Sequence, residues 1–165
     1  MYQSAPRAPL WRRLAAMMYD VMALIALMML AMGLALALVK GLQSAGVLAT
    51  EGYIDAADYV QKHAIWFQLY LVAGIFGFYV YFWSKAGQTL GMRAWRILLI
   101  DQQGALLKPG KAFLRSVLAI GGLGNLWLII RFGKGLALQD QLTDSQMIVL
   151  TKEQSSLRNL HQEAR

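Results

Sequence analysis

The sequence predicts an all-α membrane protein: two transmembrane helices, a third apolar segment broken by glycine that either re-enters or spans, and a small cytoplasmic pair of β-strands. Three observations carry this. Hydrophobic residues make up 58% of the 165 and charged residues only 15%, which is greasier than an ordinary soluble domain. The apolar residues stand in blocks rather than in an amphipathic spread. The lysines and arginines behind the net charge of +7 flank those blocks, where they act as topology signals and contacts to anionic headgroups. No basic domain stands apart from the blocks, which argues against nucleic acid as a partner. The chain has no cysteine, so disulfides, thiol chemistry and Cys-based metal sites are excluded. The length is that of a single domain. It divides into a polar lead (1–8), a membrane domain (9–151) and a polar tail (152–165).

Helix one is predicted from Pro9 or Leu10 to Val39. Arg7, Arg12 and Arg13 precede an apolar run, as in a signal peptide, and Ala35-Leu36-Ala37 imitates a cleavage site. The run of about 25 residues is far longer than the roughly 7–15 of a signal core, so it reads as a retained helix that anchors the chain. Arg13 and Asp20, seven positions apart, share one face of this helix at roughly 10 Å along its axis. A carboxylate at the centre of a bilayer costs about 2.5–3.5 kcal/mol on insertion scales. Asp20 sits one or two turns inside the boundary, so it needs a partner or a job. The methionines from Met17 to Met32 read as adaptable packing against lipid and neighbouring helices.

Residues 40–63 form a slightly acidic loop that the positive-inside rule places away from the cytoplasm. Asp55 to Lys62 is predicted as a short surface helix, with Asp55, Asp58 and His63 as its solvated face rather than a metal site. Helix two is predicted over Ala64 to Trp83. Trp66 and Trp83, roughly 26 Å apart on a helix, read as its two interfacial belts. Gly74 and Gly77 would let another helix come close. Ser84 to Arg93 looks like a turn and a short basic segment at the membrane surface. Arg96–Ile100 has strand character and is followed by a Gln-Gln-Gly turn.

Residues 112–131 are long enough to span, but Gly121, Gly122, Gly124 and Asn125 interrupt their centre, where glycine weakens a helix by about 1 kcal/mol each. Lys108, Lys111 and Arg115 precede the segment, and Arg131 and Lys134 follow it. Basic residues on both flanks favour a re-entrant or interfacial hairpin over a third span, with its turn covered by protein or water. Met147–Thr151 is a short strand whose natural partner is Arg96–Ile100. The tail reads as a frayed helix.

Taken together, this pattern resembles the RDD family of small bacterial membrane proteins, named for one arginine and two aspartates. Arg13 matches the arginine that opens helix one, Asp20 the aspartate within it, and Asp140 the second aspartate. Gly87-Gln88-Thr89-Leu90-Gly91 matches the family's Gly-x-Thr-x-Gly segment, and Arg115 an arginine often found opening the third apolar segment. The resemblance covers roughly residues 8–151. Gln139 stands where the family commonly has histidine, and Asp144 and Ser145 where a small residue and threonine are common. The resemblance implies a bacterial membrane protein, and the charge pattern adds the expectation of a multi-pass inner-membrane chain with a cytoplasmic N-terminus. Transport of small solutes or cations has been suggested for the family.

The candidate functional cluster is therefore Arg13, Asp20, Asp140 and Arg115, with Gln88, Thr89 and Asn125 secondary. Asp20 is read first as an ion-pair partner of Arg13 or Arg115, and otherwise as a proton- or cation-binding carboxylate. Asp140 could return to join Arg13 or Arg12. Arg115 could pair with Asp20 or bind a lipid phosphate. No catalytic or nucleotide-binding signature occurs, so no enzyme, cofactor or metal is expected. Two functions fit: a small-solute or cation/proton transporter, or a non-transporting module for complex assembly or anionic-lipid binding. Two or three helices are too few to enclose a pathway, so transport implies a homo-oligomer, and the alternative implies a larger membrane complex.

Overall fold

The computed structural model describes residues 5–119 and 137–156. The glycine cluster with Asn125, the basic residues Arg131 and Lys134, and the end of the tail lie outside the described residues. The choice between re-entry and a third span within residues 120–136 falls there too.

The first long helix, α1, is Leu10–Ser44, continuing past the predicted end at Val39. After α2 (Ala56–Lys62) comes α3 (Ala64–Lys85). Both α1 and α3 are long and apolar enough to cross a bilayer. Their large apolar side chains, such as Met22, Met29, Leu38 and Trp66, are exposed, which suits lipid as the surrounding medium and not water.

The chain forms two compact units, one of Met22–Ile75 and one built from residues up to Val21 and from Phe76 onward. In the first, a Cβ at Gly74 would meet Met28 Cε at 3.3 Å, and the Tyr70 hydroxyl donates to the Ala31 carbonyl at 3.5 Å. Glycine at 74 thus permits close approach, as expected from the sequence. At Gly77 there is open space instead. The predicted surface helix is α2. Asp55 is its N-cap, accepting from Asp58 N–H at 2.8 Å, and so satisfies one of the helix's orphan donors. Asp58 pairs with Lys62 at 2.9 Å, and that hydrogen bond holds its carboxyl below the usual value. His63 Nδ1 lies 2.9 Å from the Tyr59 carbonyl. These three side chains serve the helix and its neighbours.

The second unit holds the sheet. Strands β1 (Ile97–Asp101) and β2 (Ser145–Val149) pair antiparallel, with Ile97 opposite Val149 and Asp101 opposite Ser145. This is the pairing the sequence predicts, shifted by one or two residues. The lead adds a third rung: Ala8 N–H donates to Met147 O and Val149 N–H to Pro6 O, both at 2.8 Å. β1 is buried on both faces, with Ile97, Leu98, Leu99 and Ile100 at most 1% exposed. One face packs with Trp83, Met92, Leu107 and Ala112, and the other with Ile148 and Leu150. Such two-sided burial explains the unbroken apolar run Ile-Leu-Leu-Ile. Three short helices complete the unit: α4 (Leu90–Ala94), α5 (Pro109–Leu118) and α6 (Leu138–Leu142).

Trp83 departs from expectation. It is not an interfacial belt residue but a core side chain, 4% exposed, lying against Tyr79 and beneath the Arg115 guanidinium. The Arg115 guanidinium carbon stands 5.4 Å from the ring centroid, within cation–π range of the indole face. The aromatic cluster of Trp11, Tyr19 and Trp95 is the more exposed one in this unit.

Candidate functional site

The four charged residues singled out from the sequence are all buried, and they fall into two separate clusters. Arg13 is in the first turns of α1, where the guanidinium Nε donates to the Ala8 carbonyl at 3.0 Å. This locks the side chain toward the lead strand. Arg115 reaches inward from α5, which buries Ala112, Arg115 and Ser116 on one face. Asp140 is at the third position of α6, and its carboxylate turns back to accept from Ala137 N–H at 3.2 Å. An acidic side chain there suits the partial positive charge of a helix start.

Asp140 is the hub. Its Oδ2 accepts from Arg13 Nη1 at 2.7 Å, and its Oδ1 from Arg115 Nη2 at 2.6 Å. The other Arg115 nitrogen, Nη1, donates to Ser145 Oγ at 2.6 Å, and Ser145 Oγ lies 2.7 Å from Thr143 Oγ1. Thr143 in turn donates to the Gln139 carbonyl at 2.7 Å. Burial works against the charged form of Asp140, but the Arg115 and Arg13 guanidiniums outweigh it and hold the carboxyl below its usual value. The same burial surrounds Arg115, which faces Asp140 directly. A guanidinium starts so high that it stays protonated nonetheless. The network joins α1, α5, α6 and β2 through charge-assisted bonds, roughly twice as strong as neutral ones.

Asp20 stands apart. Its Oδ2 accepts from the Thr89 hydroxyl at 2.6 Å and its Oδ1 from Gly91 N–H at 2.8 Å. Thr89 is also the N-cap of α4, accepting from Met92 N–H at 3.2 Å. Among the described residues Asp20 has no ion pair with Arg13 or Arg115, contrary to its first reading from the sequence. The segment from Gly87 to Gly91 explains itself position by position. Gly87 has φ of +66°, and a Cβ there would press on the Leu99 carbonyl and the Leu106 side chain. Gln88 donates to the Ile97 carbonyl at 2.8 Å. Gly91 lies so close to α1 that a Cβ would collide with the Ala16 carbonyl. Only glycine allows its N–H to reach the Asp20 carboxylate.

Gln88 and Thr89 are thus in buried polar contacts, and Asn125 lies outside the described residues. Sequence reasoning passed over Ser145, Thr143, Trp83 and Gly91 as site residues. A usable signal existed for Gly91, because a threonine opening a short helix beside a glycine marks a cap that leaves one further N–H to be satisfied. Ser145 and Trp83 gave none, since their roles arise only from tertiary contact.

A pair of long apolar helices, the first carrying a buried arginine and a buried carboxylate into a compact polar core, defines a membrane-type protein organised around intramolecular ionic and hydrogen-bonded contacts. The chain belongs to the RDD family, whose model matches residues 7–143. Comparisons with curated proteins and with solved structures give no match.

Proposed function

We propose that this is a multi-pass protein of the bacterial inner membrane, its N-terminus cytoplasmic, that moves protons or small cations. In this reading Asp20 is the exchanging carboxylate and Arg13, Asp140 and Arg115 form the fixed frame beside it. The observation that carries the reading is the difference between the two buried acids. Asp140 is clamped by two guanidiniums, so its charge is committed. Among the described residues, Asp20 is met by a neutral hydroxyl and a backbone N–H and has no ion pair. An ionisable residue on a membrane helix is a functional-site candidate by default. The hydroxyl of Thr89 can reverse its role, donating to an ionised Asp20 or accepting from a protonated one. The reading assigns the chain no catalysis, and it requires a homo-oligomer to enclose a path.

A second reading rests on the same contacts. Both Asp20 oxygens are occupied, so the carboxylate can serve simply to pin α4 on α1, in a module that joins a larger membrane complex or binds anionic lipid. Proton and cation flux into proteoliposomes separates the two. Exchange expects flux in the wild type and its loss in Asp20→Asn, with the variant still folded. Correctly folded wild type that moves neither protons nor cations at any pH ends the exchange reading. A variant that loses folding, beside an inactive wild type, supports the pin.

A further inference from the structure

Helix α5 has its polarity reversed relative to a helix on the surface of a soluble protein. Its inward arc carries Ala112, Arg115 and Ser116, all buried. The opposite arc carries Phe113, Leu114 and Val117, which are 52%, 48% and 38% exposed. At 3.6 residues per turn these three span about 100° of the helix circumference, the width of an apolar stripe that would normally face a core. Here the stripe faces away from the core. In water that would leave a contiguous apolar patch uncovered, which proteins avoid unless the patch has a partner.

The partner is indicated by depth. The Phe113 ring packs against Phe76 of α3, centroids 5.7 Å apart. Phe76 stands nine positions before Lys85, where α3 ends, so it lies about 13 Å up the helix axis from that end. Against a hydrocarbon core of about 30 Å, this is near the middle of the span and not at the headgroups. The apolar arc of α5 therefore meets α3 through the half-buried Phe76 at this level. Lys108 and Lys111, both exposed, lie at the other end of α5, where their ammonium groups can extend to phosphates while the stems lie along apolar surface. Lys111 is also 3.8 Å from the exposed Asp144, which keeps it at the wet level.

We propose that α5 is embedded in the leaflet at the Lys85 end of α3, with Phe113, Leu114 and Val117 against acyl chains and Lys108 and Lys111 at the phosphates. The polar face then points inward for a physical reason: with lipid outside, the protein interior is where a guanidinium finds partners. The proposal rests on the membrane reading but is independent of transport, and a protein without flux would leave it standing.

Because the chain has no cysteine, single nitroxide labels can be placed cleanly on the full chain. Leu114→Cys, Val117→Cys and Lys111→Cys are labelled separately, reconstituted in phosphatidylethanolamine–phosphatidylglycerol vesicles, and relaxed by oxygen or by a water-soluble nickel chelate. Embedding expects oxygen to be the stronger relaxer at 114 and 117 and the nickel chelate at 111. If the nickel chelate relaxes 114 and 117 as it does 111, α5 lies in water and the proposal fails. If neither reagent reaches 114 and 117, protein covers the arc, and a second copy or another subunit replaces lipid as the occupant. Positions 114 and 117 are read independently, so either one decides.

Discussion

Asp140 accepts from two guanidiniums and a backbone N–H in a site that excludes water, and this fixes what substitution there does. Asp140→Asn removes the negative charge that Arg13 and Arg115 share. Breaking a buried pair on one side costs about 3–5 kcal/mol, mostly from the charge left behind. Thermal unfolding of detergent-solubilised protein should show the loss, whereas exchanging the exposed Lys152 for Ala should leave the transition within experimental scatter. The pH dependence has a definite sign. The folded carboxyl is held below its usual value, so its stabilisation is complete above the unfolded value near 4 and disappears as pH falls through the lowered one. Wild type should therefore lose more stability between about pH 5 and pH 3 than Asp140→Asn does. An equal acid loss in both would mean that the pair does not govern it. The sequence offered the pairing of Arg13 with a returning Asp140 as one option, beside Arg12 and beside a cap or surface pair. The separation of Asp20 was not legible there. Arg13 and Asp20 share a helix face, but a seven-residue spacing holds them too far apart to touch. Which neighbour reaches each was decided by chain segments more than a hundred residues away in one case and about seventy in the other.

At the scale of elements, α4 shows how a loop motif becomes a docking device. Thr89 caps the helix and simultaneously donates to Asp20, and Gly91 brings the backbone against Ala16. The Gly91→Ala variant should be destabilised toward the upper end of the roughly 1–3 kcal/mol range for overpacking, because the obstacle is backbone and cannot rotate away. Gly77→Ala is the control. It lies in a helix with open space around the added methyl, so it should be neutral or slightly stabilising. Similar transitions for both variants would remove the close approach of α4 and α1 from the account. The strand pair shows the opposite balance between sequence and structure. Its existence and partners were readable, because Arg96–Ile100 and Met147–Thr151 are short apolar runs bounded by turns. The exact register was not, since burial of β1 on both faces erases the alternation that would fix it. The lead strand was missed entirely. Its residues Pro6 to Ala8 carry no strand signal and are held by backbone bonds to β2.

For the whole molecule, the contacts of the second unit carry an expectation about sidedness. The lead is hydrogen-bonded to β2, β2 to β1, and Asp140 of α6 to both Arg13 at the start of α1 and Arg115 of α5. These segments therefore lie on one side. A single crossing by α1 would put Lys40, near its far end, on the other side. Arg115, before the glycine-broken stretch, and Asp140, after it, are bonded to each other, so Lys108 and Ser155 are expected on the same side. Cysteine substitution tests this directly in a chain that has none. In sealed inverted vesicles and in intact cells, Lys108→Cys and Ser155→Cys should react with a membrane-impermeant maleimide from the same side, and Lys40→Cys from the opposite one. In the proposed orientation the basic residues at 85, 93, 96, 108 and 111 face the cytoplasm, as the positive-inside rule favours, so labelling of 108 and 155 should occur in inverted vesicles only. If 108 and 155 label from opposite sides, Arg115 and Asp140 cannot be partners in the membrane, and the ionic frame around Arg13 falls with them. If 108 and 155 label together but from outside, the frame stands and the orientation is reversed.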